Sequence, residues 1–354
     1  MSDIPQVVHG GLQPGELAAL GIAPTSVLDL SASLNPRGPH SSVIVAAVEA
    51  DLRHYPPAHA EPLRDALAAR AGLQASQVLV TPGATAAIHL VARALLRDGD
   101  VCRIFTPTFG EYAVAALAAG ATVLESPIEA AAAPSSSGAG GRRVPLTVLC
   151  NPNNPTGDYF EQQEIDALVA AVSAEGGALL LDVAYDPFVL DAWDADDLVR
   201  AGAPVLVAHS MTKLHAIPGI RLGYLTGPAA LIARVGALQH SWAVGSTALS
   251  AGIAAIRVED QQRQAVTEVT RSREELTAAL RAAGLDVRAS RANFFLVHVG
   301  NAPAFRARLL HRGFAVRDCT SFGLPEWVRV AVPPDGAVPR LTRAFIEAYA
   351  EPPR

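Results

Sequence analysis

Lys213 is the only lysine among the chain's 28 basic residues. A lysine amine can be unprotonated and attack carbon, whereas a guanidinium stays charged. Ser210 precedes it by three positions and Arg221 follows by eight, in the spacing S-x-x-K-x7-R. One hydroxyl, one amine and one guanidinium so placed suit a phosphorylated aldehyde. Ser210 and Arg221 would grip the phosphate while Lys213 condenses with the carbonyl to an imine. The plain alternative is a composition rich in Arg and Ala that left one lysine by chance.

Further polar groups stand where short apolar runs end. Thr81-Pro-Gly-Ala-Thr85 lies at a strand-to-helix junction: Gly83 permits close approach, Ala84 and Thr85 open the helix, and its free N–H groups suit an anion. A single such junction is more often an ordinary helix cap. In Asn151-Pro-Asn-Asn-Pro-Thr-Gly157 two prolines stiffen the turn, so that Asn154 presents an amide able to donate to a phenolic or carbonyl oxygen. Asp182 ends the apolar run Ala178-Leu-Leu-Leu, with Tyr185 three residues on. A carboxylate there needs a cation or hydrogen-bond donors, either a structural ion pair or a cofactor cation.

These groups need a scaffold that brings strand ends together. Val-, Ile- and Leu-rich runs alternate with amphipathic stretches, which predicts an α/β fold with a mostly parallel sheet covered by helices. The expected order is a helix around Ser42 to Leu52, one to about Ala71, a strand Gln77 to Thr81 and a helix Ala84 to Leu96. A strand Val101 to Phe105 and a helix Glu111 to Ala119 follow, then strands 146–150, 178–182, 205–209 and 222–226. A long helix from about Gln261 to Ala283 leads to strands Phe294 to Val299, Phe314 to Arg317 and Val328 to Val332. The predicted organisation is an arm and part of a small domain over 1–60, a large domain over 61–287 and a smaller α/β domain over 288–354. The low-complexity stretch Ala130 to Arg143 carries no chemistry.

Composition removes other classes. Half the residues are hydrophobic and 18% are charged, too apolar for a disordered chain. A net charge of −6 gives no general attraction to nucleic acid or anionic membrane, so partners are expected to be small molecules or copies of the chain. No apolar stretch reaches the roughly 18 residues of a membrane span. Cys102, Cys150 and Cys319 form neither a disulfide framework nor a metal knuckle, which points to the cytoplasm. G-x-G-x-x-G after a strand, the P-loop, H-E-x-x-H and C-x-x-C are all missing, and no metal site is expected.

Together, S-x-x-K-x7-R, the NPNNPTG turn and D-x-A-Y resemble the fold-type I pyridoxal-phosphate enzymes, with an aspartate aminotransferase-like architecture. The similarity is greatest to the branch holding histidinol-phosphate aminotransferase and L-threonine-O-3-phosphate decarboxylase. It implies pyridoxal 5′-phosphate as cofactor and Lys213 as the imine-forming lysine and proton shuttle. Asp182 would pair with the pyridinium nitrogen, and Asn154 and Tyr185 with the ring's O3′. Phe109 would stack on the ring, with Tyr112 the weaker choice. Gly83, Ala84, Thr85, Ser210 and Arg221 would hold the phosphate, and Tyr55 would reach the phosphate of a second subunit, which implies a homodimer. For the substrate, an amino acid or its phosphate, the resemblance implies Arg329 and Arg317, with His9 and Asn35 from the N-terminal segments. Domain-interface ion pairs are the alternative use of the two arginines.

The reaction turns on which bond stands perpendicular to the cofactor ring. Ala216-Ile-Pro-Gly219, the His9-Gly-Gly start and Arg317-Asp-Cys319 are more similar to the decarboxylase. The resemblance therefore favours decarboxylation of threonine phosphate to aminopropanol phosphate, a step of cobalamin assembly. An aminotransferase of the histidinol-phosphate type, or one acting on another amino acid, is the alternative. A binding or regulatory protein without turnover is a third reading, which the lack of an appended DNA-binding segment disfavours. Val183 departs from the branch, which usually has Glu there.

Overall fold

The computed structural model describes residues 6–132 and 142–351. Its centre is a seven-stranded sheet in the order Val78–Thr81, Gly223–Thr226, Val205–Ser210, Ala178–Asp182, Leu146–Cys150, Val101–Thr106, Thr122–Pro127. Gly223–Thr226 is antiparallel to both neighbours and the other pairings are parallel. The strands Leu146–Cys150 and Ala178–Asp182 are buried along their whole length, which explains their unbroken apolar sequences.

Side-chain alternation divides the core into two layers. Val148, Leu180, Leu206 and Leu225 pack under helices Ala84–Leu95, Glu111–Ala118 and Ala229–Gly236. Leu149, Leu179, Leu181 and Val207 meet helix Gln162–Ala174 through Ile165, Leu168 and Val172. Asp182 follows Leu180 and so faces the first layer, while its neighbour Val183 is buried in the second. The unusual Val183 therefore fits the apolar layer it enters.

A three-stranded antiparallel sheet, Arg317–Asp318, Trp327–Ala331, Phe294–His298, forms the second unit. Helices Glu259–Ala282, Ala302–His311 and Val338–Ala350 cover it through Leu276, Leu280, Phe305, Leu309, Leu341 and Phe345. The long helix also packs Val266 and Val269 beside Tyr185 and Leu214, so one element touches both units. No helix among the described residues is long and apolar enough to cross a membrane.

Several elements differ from the sequence expectation. Thr122–Pro127 is a strand, although its edge position leaves it mixed in burial and without an apolar signature. The expected strand from Phe314 to Arg317 is two strands in two sheets: Phe314–Ala315 pairs with Leu28–Asp29, and Arg317–Asp318 with Trp327–Ala331. The described residues 6–60 divide between the two units. Leu30 joins the small-unit core, whereas Val43, on helix Ser41–Val48, packs into a cluster with Leu63, Val80 and Leu249 of the large unit. A further short helix, Pro14–Ala19, lies in the arm. Of the low-complexity stretch, residues 133–141 lie outside the described residues.

Candidate active site

The parallel strands end on one side of the sheet, and their last residues with the loops after them form a cavity of roughly 100 Å³. Asp182, Tyr185, Asn154, Phe109, Ser210 and Lys213 all line it. Asp182 is buried, accepting from Tyr112 Oη at 2.8 Å and the Ala184 amide at 2.9 Å. Burial pushes its carboxyl above the ordinary range, against the opposing pull of those two donors and of Lys213 and His209. Burial and the Asp182 charge push the Tyr112 phenol well up, so it stays a donor. An organic cation beside Asp182 would meet a carboxylate whose geometry is already fixed.

The phosphate end of the cavity is built from backbone. Gly83 caps the helix Ala84–Leu95 at φ +89°, a conformation that favours glycine. A Cβ there would lie 2.8 Å from Arg221 Nη2. Arg221 is tied by its other nitrogen to Pro218 O at 2.9 Å. Ala84, Thr85 and Ser210 share the cavity wall with it, and Ser210 Oγ is 2.9 Å from Thr212 Oγ1. Hydroxyls, helix-start amides and a guanidinium thus surround one spot, a donor set for a phosphate.

In the NPNNPTG turn the three asparagines do different work. Asn151 brackets Phe160, accepting from its N–H and donating to its carbonyl. Asn153 donates to Pro107 O and Thr156 and accepts from Thr108 Oγ1. Asn154 faces the cavity with its Oδ1 bonded to Arg329, which leaves its NH₂ as the half that can donate to a ring oxygen. Tyr185 packs edge-on against Phe294, and Lys213 Nζ sits 5.6 Å from the Tyr185 ring centre.

Above this floor opens a pocket of about 1250 Å³ that Lys213, His9, Arg317 and Arg329 also line. Arg317 and Arg329 are cross-strand partners on the small sheet. Both are buried, and among the described residues neither forms an ion pair with a carboxylate. Arg317 donates to Val8 O and Ser321 Oγ, and Arg329 to Ser31 O. Burial, and then the Arg329 charge, depress the Arg317 guanidinium pKa.

Two expected residues are not brought to the site. Asn35 is buried away from the pocket, its amide donating to Leu214 O and Gln262 Oε1 at 2.9 Å each. It anchors the segment just past Lys213. Tyr55 is 80% exposed and lies against Trp242, at a centre separation of 4.8 Å, away from both cavities of its own chain. Of the two aromatics weighed for stacking, Tyr112 spends its hydroxyl on Asp182, and Phe109 stands edge-on to it and lines both cavities. The Tyr112–Asp182 bond joins residues 70 apart and has no local sequence signal.

The family model for aminotransferase class I and II matches residues 25–345. The chain belongs to that family. Its cofactor is pyridoxal 5′-phosphate and its fold is fold type I. A histidinol-phosphate aminotransferase of Symbiobacterium thermophilum is 31% identical, the match covering 91% of this chain and 89% of the relative. The solved L-threonine-O-3-phosphate decarboxylase of Porphyromonas gingivalis is 26% identical at a TM-score of 0.79, covering 90% of this chain and 97% of its own. The Sinorhizobium meliloti histidinol-phosphate aminotransferase, solved with pyridoxal-5′-phosphate, shares the fold at a TM-score of 0.82 and 20% identity, over 96% and 95% of the two chains. The donor set fits the family's cofactor: a buried carboxylate that could meet the ring nitrogen, a cradle at Gly83 and Arg221 that could take the phosphate, and the Lys213 amine lining the same cavity.

Proposed function

We propose that this protein is an aminotransferase for a small phosphate-bearing amine of the histidinol-phosphate kind. The observation that carries the reading is the pair of buried arginines, Arg317 and Arg329, facing the pocket above Lys213 without a carboxylate partner among the described residues. Two desolvated guanidiniums are costly unless an anion joins them, and a phosphate dianion matches their charge and fork geometry. Curated relatives at about this similarity carry the aminotransferase name, which favours transamination over the decarboxylation the sequence motifs had favoured.

When bound, pyridoxal phosphate supplies an aldehyde that takes up the amine and a ring that accepts electrons from a bond at the α-carbon. The chain's own residues do the rest. Asp182 holds a positive charge at the ring nitrogen, with Tyr112 fixing the carboxylate. Asn154 and Tyr185 hold the ring oxygen. Gly83, Ala84, Thr85, Ser210 and Arg221 seat the cofactor phosphate. Lys213 Nζ carries the proton to and from the substrate carbon, and Arg317 and Arg329 fix the substrate's far end.

A second copy of the chain belongs to this reading. Tyr55, Leu52, Val48 and Trp242 expose an apolar patch, and a homodimer would cover it and carry Tyr55 toward the partner's cofactor phosphate. Sedimentation showing only monomers would remove Tyr55 from the site.

A second reading, decarboxylation of threonine phosphate, rests on the likeness to the solved decarboxylase and on Pro218 of the Ala-Ile-Pro-Gly segment, which lines the pocket. The test incubates the loaded enzyme with histidinol phosphate plus 2-oxoglutarate and, separately, with O-phosphothreonine. Glutamate formation in the first supports transamination. Carbon dioxide release in the second without amino transfer replaces it, and no turnover in either overturns the substrate class. Borohydride should fix the cofactor to Lys213.

A further inference from the structure

We propose that Glu111 is a positioning residue: it holds His9, and with it the arm, in the roof of the pocket over the anionic end of the substrate. The proposal rests on the reading that the substrate carries a phosphate.

The arm crosses the pocket as a strap between the two units. On the small-unit side, Val8 O accepts from Arg317 Nη2 at 2.8 Å and Gly11 N donates to Ser31 Oγ at 2.7 Å. Gly10 lies so close to Ser31 that a Cβ would clash with its carbonyl oxygen. On the large-unit side, the Val7 methyls lie 3.5 Å from where Gly110 would carry a Cβ. His9 Nε2 is 3.2 Å from Glu111 Oε1, and the His9 ring stands 5.9 Å from that of Phe109.

Glu111 is built to hold this contact. It is the first residue of helix Glu111–Ala118, so its backbone is fixed, and its side chain is only 13% exposed. Its second oxygen, Oε2, is 2.9 Å from His89 Nε2 on the neighbouring helix Ala84–Leu95. Among the described residues no arginine or lysine pairs with it. A largely buried carboxylate needs hydrogen-bond donors, and the two imidazole nitrogens are placed to supply them. Glu111, with His89 behind it, faces His9 from the large unit, and Arg317 stands beside it on the small-unit side. With Nε2 on Glu111, the Nδ1 of the half-exposed His9 is left for a ligand in the pocket it shares with Arg317 and Arg329.

The experiment uses cofactor-loaded wild type, E111Q, E111D and H9Q, with histidinol phosphate against histidinol, and O-phosphothreonine against threonine. Without substrate, E111Q should speed amide exchange over residues 6–11. With phosphorylated substrate, E111Q should raise KM about two- to fivefold with kcat nearly unchanged, the size of a partly exposed ion pair. E111D should recover part of the loss, the dephosphorylated compounds should show no change, and the E111Q–H9Q double variant should be no worse than H9Q. Unchanged arm exchange and KM in E111Q would overturn the proposal, as would an equal KM rise for phosphorylated and dephosphorylated compounds. If E111Q fails to fold, H9Q decides: a KM rise confined to phosphorylated compounds supports the proposal and an unchanged KM overturns it. If wild type ignores the phosphate, the substrate reading falls, whereas faster arm exchange in E111Q still upholds the latch.

Discussion

Replacing Tyr112 with phenylalanine tests the electrostatic centre of the proposed site while leaving its shape. The ring is buried in the first core layer and loses no packing, but Asp182 loses one of two donors, the 2.8 Å bond from Oη. Only the Ala184 amide at 2.9 Å remains. A hydrogen bond to a charged acceptor is worth about 1.5–3 kcal/mol, and about 1.4 kcal/mol is tenfold in an equilibrium constant. Pyridoxal phosphate should therefore bind about 10- to 100-fold more weakly to Y112F. The pH dependence has a definite sign. Burial already raises the Asp182 pKa, and losing a donor to the charged form raises it further, so affinity should fail at a higher pH than in wild type as acid is added. Titrating apoenzyme with cofactor across pH, by absorbance, gives both numbers. A Y112F protein with native circular dichroism, unchanged affinity and an unchanged acid limb would refute the assignment of Asp182 to the ring nitrogen.

Two other substitutions probe the neighbourhood. Gly83→Ala puts a methyl 2.8 Å from Arg221 Nη2 at φ +89°. It should cost about 1–3 kcal/mol of stability and weaken pyridoxal phosphate while leaving phosphate-free pyridoxal little affected, measured by melting and by titration. Burial of the half-buried His209 works against its charge, but the surrounding carboxylates, Asp196 first and then Asp186 and Asp194, together outweigh that and raise its pKa above 6.5. Its stabilisation is complete below 6.5 and is lost as pH rises through the raised value. Urea midpoints of wild type should fall over that window, and those of H209Q should stay flatter.

What the sequence made legible was local. Ser210, Lys213 and Arg221 fall within twelve residues of one strand-loop-strand, and their spacing alone brings them to one cavity. Asp182 stood out because a carboxylate ending a buried strand is costly. Burial periodicity also found the central strands, whereas the edge strand Thr122–Pro127 escaped because solvent on one side removes the apolar signal. Contacts across long sequence separations were silent: Tyr112 on Asp182, Arg329 on Asn154, and His9 on Glu111. Nor did the sequence reveal the bonds of Asn35, since an asparagine beside proline looks the same whether it serves a ligand or a backbone carbonyl such as that of Leu214.

The bond between Arg329 and Asn154 has a consequence for timing. One guanidinium reaches the Asn154 amide of the large unit and the Ser31 carbonyl of the arm from a strand of the small unit. A substrate anion arriving at Arg329 must compete with or share these acceptors. Asn154 would then register substrate arrival through its Oδ1 while, in the proposed site, its NH₂ would hold the ring oxygen. Recognition at the far end of the substrate and the electronic state of the cofactor would be one amide apart. Analogues that carry the anion but lack the amine should then change the cofactor's absorption spectrum without reacting.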